Sequence, residues 1–193
     1  MGICSLLLVH NAKVNNNGGY YGTSLQAAAY RGHFLVVEAL IAADADIRYP
    51  GRFRDAFHAA SEAGRDKSMT LLLIDRHVDV NLTGHYFGTA LQAVARFGHL
   101  GCVMRLLDAG ADANLLEGSH GTPLQAAVKG GHIDVVRALI SRGADVNIWR
   151  EPAHEDKPKK DSCYEQAAFT PAIKLANSPA MLALLEQSGA YRY

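Results

Sequence analysis

Short stretches of apolar residues with helical spacing occur in pairs along the chain, and a tight turn joins the two members of each pair. The clearest copy runs from Gly121 to Asn147. In its first half, Leu124 and the two alanines after Gln125 form a narrow apolar face. In its second half, apolar residues recur with a period near 3.6 residues, which is typical of an amphipathic helix. These residues are Ile133, Val135, Val136, Leu139 and Ile140. The pattern therefore predicts two short helices joined by a turn.

The residues that flank these stretches suit helix starts and stops. The Thr122 hydroxyl can accept a hydrogen bond from a first-turn N–H, and Pro123 loses only a donor that has no partner at that position. Gly130-Gly131 and Gly143 tolerate the left-handed backbone that ends many helices. These end signals favour helices over strands for the paired stretches.

The pattern repeats every 33 residues. A leucine keeps this interval, at Leu7, Leu40, Leu73, Leu106 and Leu139. An exit asparagine also keeps it, at Asn15, Asn81, Asn114 and Asn147, with Arg48 as the exception. Gly-Thr-x-Leu-Gln-Ala begins at Gly22, Gly88 and Gly121, whereas the copy that starts at Asp55 is shifted by one residue. Because one such unit cannot bury its apolar face alone, stacked units are expected to share a continuous core.

This unit resembles the ankyrin repeat, whose motif is Gly-x-Thr-Pro-Leu-His-x-Ala, then Gly-His, then Gly-Ala-Asp-Val-Asn. Gln26, Gln92 and Gln125 stand where the family motif has His, a variant similar to the arrays abundant in filamentous fungi. The resemblance implies an all-α ankyrin-repeat solenoid of stacked helix–turn–helix units with projecting β-turn fingers. It also implies a non-catalytic module that binds a protein partner through its concave face and its finger tips.

The spacing predicts a single array over residues 1–193. Its units are a partial repeat, four full repeats and an irregular terminal repeat, at 1–15, 16–48, 49–81, 82–114, 115–147 and 148–193. The last unit is expected to contain an inserted loop at about 149–169, which is rich in charge and proline. Its first helix starts near Thr170 in the favoured register or at Ser162 in the competing one, and Pro179 opens its second helix.

Residues 2–15 match only the second half of a repeat. One interpretation is that the chain is the C-terminal part of a longer array, such as the sensing or regulatory array of a larger signalling protein. The other is that the N-terminal helix predicted at Ile3–Val9 simply docks on the next unit.

Composition narrows the classes of partner. The chain carries 19 basic and 19 acidic residues, so its net charge gives no reason to expect nucleic acid or an anionic membrane as partner. The three cysteines are widely spaced, at Cys4, Cys102 and Cys163, which argues against a secreted disulfide framework. No stretch is long and apolar enough to span a bilayer. The sequence therefore predicts a monomer in the cytoplasm or nucleus.

The residues that could carry chemistry are better explained by structure. His33, His99 and His132 occupy one repeat position and hence different units. Stacked helices lie roughly 8–10 Å apart, too far for a common metal ion with bonds of about 2 Å. The sequence contains no Cys-x-x-Cys pair, no phosphate-binding Gly-Lys loop and no nucleophile elbow. We therefore expect turn-stabilising histidines, no metal, no cofactor and no enzymatic activity.

Two sets of positions are expected to contact a partner. One set lies at the finger tips, just before each helix-capping residue: Tyr20, Tyr21, Arg52, Phe53, Tyr86, Phe87 and His120. The other set lies at the ends of the first helices: Tyr30, Arg31, Arg96, Phe97 and Lys129. Aromatic and arginine side chains are over-represented at binding hot spots. The alternative, that the residue merely packs finger against finger, applies to Tyr21, Phe53, Phe87 and His120.

Overall fold

The computed structural model describes residues 6, 9–10, 12–73, 78–84, 87–118, 120–149 and 170–190. Within these ranges ten helices are defined in full, and no strand is present apart from isolated bridges. In chain order the helices are α1 (Ser24–Arg31), α2 (Phe34–Ala42), α3 (Ala56–Glu62), α4 (Asp66–Leu73), α5 (Ala90–Phe97), α6 (Leu100–Asp108), α7 (Pro123–Gly130), α8 (Ile133–Ser141), α9 (Ala172–Leu175) and α10 (Pro179–Gln187). The all-α class expected from the sequence is confirmed.

The starts of the first helices follow the predicted capping chemistry. The hydroxyls of Thr23, Thr89 and Thr122 each accept a hydrogen bond from the backbone N–H three residues further on. This bond satisfies one of the N–H groups that an α-helix leaves without an internal partner. The same three helices end at glycines with left-handed backbone, at Gly32, Gly98 and Gly131.

In the shifted repeat, different residues cap and end the first helix. Asp55 caps α3, where its carboxylate accepts a hydrogen bond of 2.8 Å from the His58 backbone N–H. The same oxygen lies 2.8 Å from Nδ1 of the His58 ring, and both side chains are buried. The helix then ends at Ala63, whose φ of −86° is right-handed. Arg65 and the buried Leu72 lie 10 and 17 residues after Asp55, the intervals that separate Thr23 from His33 and Leu40, so the one-residue slip persists through α4. Leu72, and not the Leu73 of the 33-residue series, is therefore the buried leucine of this repeat.

The chain divides into two compact units, Met1–Asp79 and Val80–Tyr193. The division falls in the exit turn of the repeat predicted at 49–81. In the first unit α1 packs on α3, and in the second α5 packs on α7, which packs on α9. Alanines allow these close approaches, because Ala29, Ala60 and Ala95 are fully buried.

The second helices supply the larger apolar side chains of each core. The fully buried ones include Val37, Met69, Leu72, Val103, Leu106, Val136, Leu139, Met181 and Leu185. Cys102 is also buried, as expected from its position in α6. None of the helices in the described ranges is long and apolar enough to cross a membrane.

The C-terminal helix pair is shorter than the others. Its first helix, α9, has four residues and begins two residues after Thr170, and Pro179 opens α10, as the sequence predicted. The Ser178 hydroxyl caps α10 by accepting a hydrogen bond from the Met181 N–H. The competing start at Ser162 and residues 150–169 of the predicted loop lie outside the described residues.

Candidate functional site

A finger is the segment between the exit turn of one repeat and the first helix of the next, and asparagines fix where each finger begins. The Asn114 side-chain oxygen accepts a hydrogen bond of 2.8 Å from the Asp145 backbone N–H, and its amide donates to the Gly143 carbonyl at 3.0 Å. Asn15 and Asn81 make the equivalent bonds to the exit turns 31 residues further on. Arg48 cannot accept such a bond, because a guanidinium carries only donors. Within each unit, these asparagines thus join the exit turns of consecutive repeats, side chain to backbone.

The glutamines that replace the family histidine connect each first helix to the next finger. The Gln92 carbonyl oxygen accepts a hydrogen bond of 2.5 Å from the Thr89 N–H, which completes a capping box. Its two amide hydrogens are shared among the carbonyl groups of Leu115, Glu117 and Gly121. Gln26 and Gln125 make the corresponding contacts, to the carbonyl groups of Tyr49 and Thr170, each at 2.8 Å. The sequence showed this departure from the motif but not its role in positioning the fingers.

A further set of bonds joins consecutive helix–helix turns. The His132 Nε2–H donates to the Arg96 carbonyl at 3.2 Å, so this histidine links two repeats as well as lying in a turn. In the shifted repeat Arg65 stands at the equivalent position and donates from Nε to the Tyr30 carbonyl at 3.0 Å. The repeat pattern does not indicate this role for Arg65, because an arginine does not match the histidine of the other copies.

In the first unit the predicted binding residues converge on one cluster of rings. The Tyr20 and Tyr21 rings meet edge to face with centroids 5.0 Å apart. Tyr30 lies between the fingers, 5.3 Å from Tyr21 and 4.8 Å from Phe53. These separations are typical of favourable aromatic pairs. The fingers therefore support one another through ring contacts.

Two guanidinium groups lie against this cluster. The Arg52 Cζ atom is 3.8 Å from the centroid of the Tyr20 ring, and the Arg31 Cζ atom is 5.3 Å from that of Tyr21. Both distances are within the range of cation–π attraction. Tyr20 is 66% exposed and both arginines are exposed, so these three side chains can contact a partner.

Burial removes Phe53 from the set of contact residues. Its side chain is only 7% exposed and stacks on Tyr30, so it offers almost no surface to a partner. Tyr21 and Tyr30 are half-buried and combine packing with partial exposure. Of the two interpretations of the inner tip positions, packing therefore applies to Phe53.

The second unit contains a smaller cluster. The Phe87 ring lies 5.1 Å from Phe97 and 5.3 Å from His120 between centroids. Phe97 is 42% exposed, and Phe87, Arg96 and Lys129 are half-buried. His120 is only 1% exposed, so it packs within the finger and also leaves the contact set. Tyr86 lies outside the described residues.

The surroundings of His120 disfavour its charged form. Burial lowers its pKa from the ordinary 6.5 to about 4, and the positive charges of Lys129 and Arg96 contribute in the same direction. Desolvation and nearby like charges both favour the neutral imidazole. His120 is therefore a neutral finger residue at physiological pH.

Acidification is expected to destabilise the protein through His120. The histidine takes up its proton near pH 6.5 in the unfolded chain and near pH 4 in the folded protein. The free energy of unfolding therefore keeps the His120 contribution above pH 6.5 and loses it as the pH falls from 6.5 to 4. From pH 7.5 to 4.5 the loss in free energy of unfolding is about 2–3 kcal/mol, since one pKa unit corresponds to about 1.4 kcal/mol. Urea unfolding at several pH values measures it.

The matched variant is His120→Phe, which keeps a ring beside Phe87 and cannot titrate. Other groups also titrate in this range, so the quantity to compare is the difference between the two proteins at each pH. The variant is expected to lose less stability on acidification than the natural chain. Parallel stability curves for the two proteins would contradict the assignment of a lowered pKa to His120.

Paired helices with capped ends, joined by bonds between equivalent turns, define a helical repeat protein. Residues 57–149 match the family model of ankyrin repeats, with three copies. Residues 57–149 therefore belong to the ankyrin repeat family. Ankyrin repeats are generally protein–protein interaction modules and are generally non-catalytic. No curated protein matches the chain.

Proposed function

We propose that this chain is a non-catalytic protein-binding module whose contact surface, in each unit, consists of the finger tips and the ends of the first helices. The observation that carries the proposal is the placement of Arg52 over Tyr20, with both side chains exposed. Two exposed side chains lose conformational entropy when binding immobilises them. Here the contact between Arg52 and Tyr20 already restricts both side chains before a partner binds. The exposed Phe97 contributes the corresponding anchor in the second unit.

Preorganisation is the physical reason why this surface suits binding. Association has to offset lost freedom of side chains, and an already immobilised arginine or aromatic ring loses less of it. Truncation of tyrosine, tryptophan and arginine accounts for most of the large effects at protein interfaces. The number and wide spacing of the three cysteines argue against a secreted disulfide framework, so we infer an intracellular partner.

Substitution of the exposed anchors is expected to abolish partner capture. The variant Tyr20→Ala/Arg52→Ala/Phe97→Ala removes the three side chains with the clearest access to a partner. Proteins held by the immobilised natural chain from a native lysate should fall about tenfold or more on this variant, because hot-spot truncations cost about 2 kcal/mol or more. Quantitative mass spectrometry of the captured proteins measures the change.

The matched control carries Leu35→Ala/Lys67→Ala/Arg137→Ala, three exposed positions on the second helices. Circular dichroism of both variants must show the helix content of the natural chain. Capture that is lost with the first variant and kept with the control supports the proposal. Equal loss on both variants, or equal retention on both, would place binding elsewhere.

A further inference from the structure

The zero net charge conceals a separation of charges along three of the repeats. The first helices α1, α5 and α7 carry a basic residue in the last turn and no acidic residue in the first, the basic residues being Arg31, Arg96 and Lys129. Acidic residues occupy the exposed exit turns instead, at Asp46, Asp112 and Asp145. The ends of α1, α5 and α7 are therefore positive although the chain as a whole is neutral, whereas α3 ends in Glu62.

In the first unit two exposed arginines lie against tyrosine rings, and we call Tyr20, Tyr21, Arg31 and Arg52 the Tyr20 patch. Its two guanidiniums lie against the two tyrosine rings, at 3.8 Å and 5.3 Å from the ring centroids. The nearby carboxyl of Glu62 is half-buried. Burial raises the pKa of Glu62, while the charges of Arg52 and His58 oppose that shift. The half-buried Glu62 carboxyl thus lies within electrostatic reach of the exposed Arg52.

A cleft adjoins the Tyr20 patch on the first finger. It has a volume of about 400 Å³ and is lined by Lys13, Asn16 and the segment 18–24, which includes both tyrosines of the patch. Lys13 is exposed and adds a third cation close to the rings. Gly18 and Gly19 have open space where a side chain would project, so a bound peptide could approach the backbone there.

We propose that the Tyr20 patch binds an acidic segment of the partner protein. Its Asp or Glu carboxylates would bond to Arg31 and Arg52, and an apolar side chain would enter the cleft beside Tyr20. A guanidinium held over a ring keeps its donor fork available for bidentate bonds to a carboxylate. The inference rests on the proposed function and adds the chemical class of the partner.

Protein is favoured over nucleic acid as the source of the negative charge. Electrostatic binding to nucleic acid depends on many phosphate contacts made together. The patch offers two exposed arginines and a nearby lysine, beside tyrosines of which one is half-buried and turned toward the fingers. Such a short cationic surface suits a few carboxylates in one segment, and ankyrin repeats generally bind proteins.

The test begins with a display library of random 12-residue peptides selected on the full chain. Selected peptides are expected to be enriched in Asp and Glu, and a synthetic one should bind at least tenfold more weakly at 300 mM than at 50 mM NaCl by fluorescence anisotropy. The variant Arg31→Glu/Arg52→Glu should weaken binding by about tenfold or more, and Arg31→Gln/Arg52→Gln by less. A peptide with Lys for Asp should prefer the Glu variant.

The control Lys67→Glu/Arg137→Glu makes the same change in net charge at exposed positions of the second helices, and should change binding less than about twofold. Peptides that depend on Tyr20 but are not enriched in acidic residues would overturn this inference and leave the proposed function intact. Peptides that are indifferent to Tyr20→Ala would count against both. A single-stranded DNA 12-mer is tested in the same way. If it bound as tightly as the acidic peptide and no longer bound the Arg31→Glu/Arg52→Glu variant, the assignment of a protein as the partner would be overturned.

Discussion

Replacement of Gln92 by leucine is expected to lower the free energy of unfolding by about 3–5 kcal/mol, the largest effect predicted for a single side chain here. Gln92 is fully buried and bonds to groups of its own helix cap and of the next finger. Leucine has a similar volume, so the change removes the bonds without opening a large cavity. It leaves the Thr89 N–H and the finger carbonyls without their partner, and each buried unsatisfied group costs about 1–3 kcal/mol.

The matched control is Gln187→Leu, the same chemical change at an exposed residue in the last turn of α10. This change should stay within about 0.5 kcal/mol, as surface substitutions usually do. Urea unfolding followed by circular dichroism gives both values. If Gln92→Leu changed the free energy of unfolding as little as its control, other contacts would hold the finger in place. The Gln92 side chain would then contribute packing volume and no hydrogen bonds of consequence.

Local chemistry explains why so much of the helical pattern could be predicted. A threonine before an apolar stretch caps a helix through an atom three residues away, and a glycine after it permits a left-handed turn. Both effects act within one turn of the chain, so Thr122 and Gly131 could be recognised without any knowledge of their neighbours. The Asp55 cap was also recognisable, once the one-residue slip of its repeat was counted.

The binding surface was less predictable because it depends on contacts between repeats. Phe53 and His120 occupy the same tip position as the half-buried Tyr21, yet both are buried, with rings of the preceding repeat beside them. Nothing in the spacing distinguishes a covered ring from an uncovered one. The role of Arg65 was missed for the same reason, since its partner is a backbone carbonyl 35 residues away. Exposure, which decides what a partner can reach, is a property of the assembled neighbours.

The close approach of two fingers in the second unit leads to the other large effect. Gly118 has a φ of +63°, and a Cβ atom there would lie 2.7 Å from both the Cα and the N of Gly88. Gly118→Ala is therefore expected to cost about 1–2 kcal/mol for the left-handed backbone and about 1–3 kcal/mol more for the displaced finger. Urea unfolding of the full chain measures the sum.

Gly110→Ala separates these two contributions. Gly110 has a φ of +89°, but a Cβ atom there would meet nothing within 4 Å, so only the backbone cost applies. The difference between the two variants then measures how tightly the fingers are held together. A difference near zero would mean that the finger moves aside freely, and a surface that yields so easily would be a poor preorganised binding site. A difference of about 2 kcal/mol would show a rigid finger, which is the property that the proposed binding surface needs.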